Sequence, residues 1–106
     1  MFARLAWGKV KPGTWDQYEQ LYHDEILPKT REVQGLRFRE LLRDTDDPDA
    51  GISLTLWESR ADLDAYEQSE LYQGIVERGR AFYVGEFWVK HMDVRLGAEL
   101  GAELKR

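Results

Sequence analysis

Apolar residues recur along this chain with two periods, near two and near 3.6, and the switches between them mark out its elements. The run FARLAWGKV, Phe2 to Val10, carries Phe, Leu, Trp and Val and stops at Lys11-Pro12-Gly13, which predicts a strand closed by a turn. In Thr14-Trp15-Asp16-Gln17 a Thr precedes a Gln by three residues, a capping-box pattern that starts a helix. Trp15, Tyr18, Leu21, Tyr22 and Ile26 lie on one stripe of it. Pro28 is expected to end or kink this helix, because the residue before a proline avoids helical angles. A further helical stretch reaches about Val33, and Gly35 closes it.

Leu36 to Arg43 alternates, with Leu36, Phe38, Glu40 and Leu42 on one side and Arg37, Arg39, Leu41 and Arg43 on the other. The polar segment DTDDPDAG, 44–51, is a hairpin turn. Ile52 to Glu58 is the next strand, with Ile52, Leu54 and Leu56 opposite Ser53, Thr55 and Trp57. Ser59, with Asp62 three residues on, caps a short helix that buries Leu63, Ala65 and Tyr66. Ser69 restarts it, with Leu71, Tyr72, Ile75 and Val76 inward, and Gly79 weakens its end. Gly85 begins a last strand in which Phe87, Val89 and His91 oppose Trp88, Lys90 and Met92.

The order β-α-β-β-α-β, with a right-handed crossover in each half, predicts an α+β fold of the ferredoxin-like split βαβ type: an antiparallel sheet with both helices on one face. The strands carry large side chains on both faces, and two helices cover only one. Leaving the other bare would expose a sizeable apolar patch. The expectation is therefore a homodimer packed sheet to sheet as an α/β barrel. The domain spans 1–95. The remainder, 96–106, is a tail with Leu96, Leu100 and Leu104 at a spacing of four, as in a short helix.

Composition narrows the partners. A chain of 106 residues suits one domain. The net charge of −5 argues against nucleic acid, which needs a concentrated basic face. Without cysteine there are no disulfides, thiolate chemistry or cysteine-held metals. MFARLAWGKV is too interrupted by Arg4 and Lys9 for a signal peptide's apolar core, and no apolar run approaches a membrane span. These features predict a cytoplasmic enzyme or binding protein without membrane contact. Asparagine is also absent.

The segments KVKPGTWDQYEQLY, QGLRFRELLRDTDDPDAGISLTLWES and DAYEQSELYQ together resemble the antibiotic biosynthesis monooxygenase domain, and the resemblance covers Met1 to about Val94. It implies a dimeric ferredoxin-like barrel. The family includes haem-degrading enzymes and cofactor-free enzymes that oxidise polycyclic phenols. Haem-degrading members carry an Asn, a Trp and an iron-ligating His at positions that fall near Ala6, Tyr66 and Val76 here, so that mechanism is not expected. The phenol-oxidising members resemble this chain at Trp57. They place an Asn four residues earlier, where Ser53 stands, and a Ser hydroxyl can serve the same oxyanion-stabilising role.

Each candidate has a plainer alternative. Trp57 is a site wall or a core aromatic whose burial contributes up to about 5 kcal/mol. His23, four residues after Glu19 and beside Asp24, has the spacing of a metal pair but no third ligand, and so reads as polar helix face. His91 sits mid-strand among apolar neighbours, as a general base or as a satisfied interior histidine. Tyr18, Tyr22, Tyr66, Tyr72 and Tyr83 fall on predicted helices, and their hydroxyls need partners when buried. A polar-tipped cavity between helices and sheet follows, suited to a flat aromatic ligand or to water. Arg37 and Arg39 would need carboxylates or an anionic ligand if they faced a dimer interface. The leading reading is a small cofactor-independent monooxygenase acting on a quinol-like aromatic, with His91 as base, Ser53 as oxyanion donor, and Trp57, Tyr66, Tyr22 and Tyr72 around the substrate. The alternative is a non-catalytic small-molecule-binding or stress-response barrel; a third is a purely structural dimer.

Overall fold

The computed structural model describes residues 1–97. Its elements are β1 (Phe2–Val10), α1 (Trp15–Leu21), a π-helical turn (Tyr22–Ile26), α2 (Leu27–Thr30), β2 (Leu36–Arg43), β3 (Ala50–Trp57), α3 (Arg60–Glu67), α4 (Glu70–Gly79) and β4 (Tyr83–Asp93). The strands form one antiparallel sheet in the order β2-β3-β1-β4, the ferredoxin-like arrangement the element order predicts. Of the tail, Leu96 is exposed, and Leu100 and Leu104 lie outside the described residues.

Cross-strand register decides which face each strand residue serves. Phe2, Arg4, Ala6 and Gly8 of β1 stand opposite Trp57, Thr55, Ser53 and Gly51 of β3, and these positions face the helices. Arg39 and Leu41 of β2 share that side, as do Phe87, Val89 and His91 of β4. The other face carries Leu5, Trp7, Ile52, Leu54, Leu56, Leu42, Trp88 and Met92. It is mostly apolar, with Glu40 opposite Leu54 and Lys90 opposite Leu5, and Leu42, Trp88 and Met92 keep 42%, 37% and 48% exposure. Trp7 and Trp88 stack across β1 and β4 with ring centroids 6.2 Å apart and planes within 6°.

Two helix starts follow the predicted caps. Ser59 Oγ accepts from the Asp62 backbone N–H at 3.1 Å, and Ser69 Oγ accepts from that of Tyr72 at 3.1 Å. The box predicted at Thr14 does not form. Thr14 Oγ1 instead donates to the Lys11 carbonyl at 2.7 Å, so its hydroxyl closes the preceding turn. Of the two outcomes expected at Pro28, the helix does not end there but continues past it. A proline lacks the N–H for the carbonyl four residues back, and its ring crowds that carbonyl. Here the preceding turn widens to π geometry, with the Leu27 N–H reaching the Tyr22 carbonyl, and the helix runs on to Thr30. The chain then turns through Gly35, at φ +80°. The last strand starts at Tyr83 rather than Gly85, and takes Tyr83 from its predicted helix. A bulge between the Gly8–Phe87 and Lys9–Val84 pairs separates the two halves of β4.

The space between helices and sheet holds two apolar clusters. Val10, Trp15, Tyr18, Tyr22 and Ile26 form one; Trp57, Leu63 and Tyr66 form the other. Trp15 lies so close over β3 that a Cβ on Gly51 would sit 2.4 Å from its ring, so glycine is required there. Between the clusters the sheet offers only the small Ala6 and Ser53, directly opposite one another. Nothing large fills the space above them, and a cavity results.

Candidate functional site

The cavity has a volume of about 180 Å³ and lies between the sheet, the π-helical turn, α3 and α4. Ala6 and Ser53 form its floor. Tyr22 and Ile26 come from the π-helical turn, Tyr66 from α3, Tyr72, Ile75 and Val76 from α4, and Phe87 from β4. The wide turn places both Tyr22 and Ile26 inward; they are 3% and 4% exposed. Tyr72 lies within one turn of the Ser69 cap, which fixes the start of α4.

Its polar groups cluster at one end. Arg39 Nη1 donates to Tyr22 Oη at 3.0 Å and to Ser53 Oγ at 3.3 Å, and Nη2 donates to Tyr66 Oη at 3.3 Å. Tyr22 Oη and Ser53 Oγ share a further hydrogen bond of 2.8 Å. The guanidinium also lies over the Tyr22 ring, 5.7 Å from its centroid. Tyr18 and Tyr83 pair through their hydroxyls at 2.7 Å. Burial pushes the ionisation of Tyr18, Tyr66 and Tyr83 up, so at neutral pH these hydroxyls are protonated and able to donate.

A second polar group borders the cavity on β1. Arg4, 6% exposed, donates through Nε to Glu67 Oε2 at 2.7 Å and through Nη2 to Tyr72 Oη at 2.6 Å. The same Glu67 oxygen meets His91 Nε2 at 2.9 Å. Burial works to raise the Glu67 carboxyl, but the bonds from Arg4 and His91 more than offset it and hold the group below its ordinary 4.5. A carboxyl lowered in the folded state contributes stability above its unfolded pKa and loses it as pH falls through the folded one. Melting temperature followed by circular dichroism should therefore drop in the wild type below about pH 4.5. Glu67→Gln, with no carboxyl there to titrate, should lose less across that window. Equal acid sensitivity in the two proteins would show that the pair contributes nothing.

The sequence profile described as antibiotic biosynthesis monooxygenase matches residues 1–78. The chain belongs to the antibiotic biosynthesis monooxygenase family. Among solved structures, an antibiotic biosynthesis monooxygenase aligns with a TM-score of 0.76 at 27% identity, covering 91% of this chain and all of that one. A protein of Deinococcus radiodurans provisionally assigned to the same family reaches a TM-score of 0.80 at 11% identity, over 96% of this chain and 100% of that one. A conserved protein from Methanosarcina mazei Go1 gives 0.78 at 16% identity, over 89% and 92%. The last two show the fold alone. No curated protein matches at a significant level.

Within this family fold the cavity gathers some of the residues singled out from sequence and leaves others behind. Ser53, Tyr22, Tyr66 and Tyr72 all line it. Trp57 does not. Fully buried, it lies behind Tyr66 with ring centroids 5.0 Å apart, and its Nε1 donates to Thr55 Oγ1 at 2.8 Å. His91 is also outside the lining and reaches it only through Glu67 and Arg4. His23 is exposed and paired with Asp24 at 2.9 Å, and Glu19 instead accepts from Trp15 Nε1. Ala6, Tyr66 and Val76, the positions aligned with the haem-degrading pattern, all line the cavity without an imidazole. Arg39 faces the helices rather than a sheet interface, while exposed Arg37 pairs with Glu58. Arg4 and Glu67 escaped the sequence reading. Arg39 was singled out there only as a cation that would need carboxylates or an anionic ligand at a dimer interface, and it faces the helices instead.

Proposed function

We propose that this protein is a cofactor-independent monooxygenase that takes an electron-rich phenol into the helix–sheet cavity and oxidises it with dioxygen. The observation that carries this reading is the lining itself. Flat apolar and aromatic walls flank a cluster of hydrogen-bond donors, Arg39 with Tyr22, Ser53 and Tyr66, while Arg4 with Tyr72 forms a second polar group on β1. The reaction replaces the ring C–H para to the hydroxyl by C=O. One atom of dioxygen enters the quinone, the other leaves as water, and the substrate supplies all four electrons. The protein's part is to hold the ring, stabilise the oxygen as it becomes negative and keep water away. Ser53 and Tyr66 bear on the developing oxyanion, and Tyr22 and Tyr72 on the ring. His91 acts as a positioning residue: it holds Glu67, which holds Arg4 against Tyr72.

The working unit in this reading is a homodimer in which a second copy covers the apolar sheet face. Among the described residues no helix is long and apolar enough to cross a membrane. A second reading, a binding protein without turnover, draws on one observation: the cavity lining includes no carboxylate or imidazole to act as a base. Oxygen consumption separates the two. With a panel of one- and two-ring phenols that keep a C–H para to the hydroxyl, 1-naphthol among them, uptake above the protein-free rate without hydrogen peroxide supports the oxygenase. Binding without uptake across the panel supports the binding protein.

A further inference from the structure

We infer that the cavity's ligand is an aromatic oxyanion with one or two rings held inside, whose negative oxygen is seated on Arg39. This rests on the cavity being the ligand site and adds the charge and size of what it takes.

Three arginines line the cavity, and they differ in what neutralises them. Arg4 is paired with Glu67 at 2.7 Å. Arg80 lies at the solvent edge and has Glu77 at 3.6 Å. Arg39 donates to the hydroxyls of Tyr22, Ser53 and Tyr66 and has no carboxylate within ion-pair distance among the described residues, although Asp16, Glu19 and Glu40 line the groove on its outer side. Its Nε is buried and has no hydrogen-bond partner. A guanidinium carries five N–H donors and no acceptor, and it keeps its charge at any accessible pH. A partly buried cation without a counter-charge is unfavourable, and an anion supplies what is missing.

The neighbouring hydroxyls point the same way. In accepting from Arg39 they use lone pairs and keep protons. Tyr22 and Ser53 share one of those between them. The cluster as a whole is rich in donors, the complement of an acceptor-only group such as a phenolate or a carboxylate. The preference is local, because the whole chain carries a net charge of −5 and does not attract anions at long range.

Size follows from the volume of about 180 Å³. A dry cavity of about 150 Å³ holds a benzene, and pockets for drug-sized ligands begin near 300 Å³. One substituted ring or a compact bicycle fits within it, and a longer ring system would extend out of the cleft past Tyr22 and Arg39.

The test is equilibrium binding by the full chain, read by fluorescence, of 2-naphthol, 2-naphthoic acid and neutral 2-naphthamide. Wild type should bind at least one of the two acids on the order of tenfold more tightly than the amide. Arg39→Gln should lose a tenfold to hundredfold factor for that acid and change the amide by less than about twofold, and Arg39→Lys should recover part of the loss. Melting temperature controls for folding. The two arms identify the oxyanion. If 2-naphthol is the tight one, its phenolate absorbance should appear in the complex at least one pH unit below its free ionisation. If naphthoate alone is tight, the anionic group is a carboxylate. Equal binding of acid and amide, a uniform loss in Arg39→Gln, or no binding by any of the three overturns the inference. Arg39-dependent anion binding with no oxygen consumption would sink the oxygenase reading and leave the anion site standing.

Discussion

Trp57→Ala is expected to cost about 4 kcal/mol of folding stability, the usual range for deleting a buried large aromatic. Trp57 is fully buried, stacks on Tyr66 and joins Leu63 in one of the two clusters above the sheet. Its loss also strands Thr55, which is 1% exposed and receives the indole N–H. A domain of this size has only about 5–15 kcal/mol in total, so the variant should melt far below wild type or fail to accumulate folded. Trp57→Phe keeps most of the packing, loses the N–H, and should cost about 1–2 kcal/mol. Urea unfolding of both variants gives these numbers. A Trp57→Ala protein of near-normal stability that no longer bound aromatic ligands would return this residue to the site wall.

Leu54→Glu is expected to convert a dimer into a monomer. Leu54 lies mid-strand on β3, on the sheet face away from the helices, between Leu5 of β1 and Glu40 of β2. A second carboxylate beside Glu40 is solvated in a monomer and desolvated next to a like charge in a sheet-to-sheet dimer, where such burial costs several kcal/mol. Light scattering should give a mass near twice 12.4 kDa for wild type and near 12.4 kDa for the variant. A wild type of 12.4 kDa at all concentrations would refute the second copy.

Much of the fold was legible in the chain because periodicity and caps are local. The element order, the strand alternation and the caps at Ser59 and Ser69 need only neighbours a few residues apart. What failed locally had a competitor the pattern did not weigh. The Thr14 hydroxyl had a nearer acceptor in Lys11. The site was less legible because it is assembled at long range. Alternation showed that Arg39 and Phe38 face opposite ways, but only the register with Thr55, after the irregularity between Leu36 and Phe38, aims Arg39 at the helices. Glu67 and Arg4 are 63 residues apart, and nothing in a helical run of acids marks the one that folds onto a buried arginine. The tyrosines Tyr22, Tyr66 and Tyr72 were found because buried hydroxyls need partners, a requirement that holds whatever the topology. Ser53 came from the family resemblance, not from any local signal.

The central claim is that this cavity is where dioxygen meets the substrate. It is tested most directly by turnover with isotopically labelled dioxygen, using wild type and a protein whose cavity is filled from the helix side by Val76→Trp. Wild type should give one labelled oxygen per product and labelled water. Val76→Trp should lose both, with dimer mass and melting temperature kept. Undiminished label incorporation in a folded Val76→Trp protein would contradict the claim.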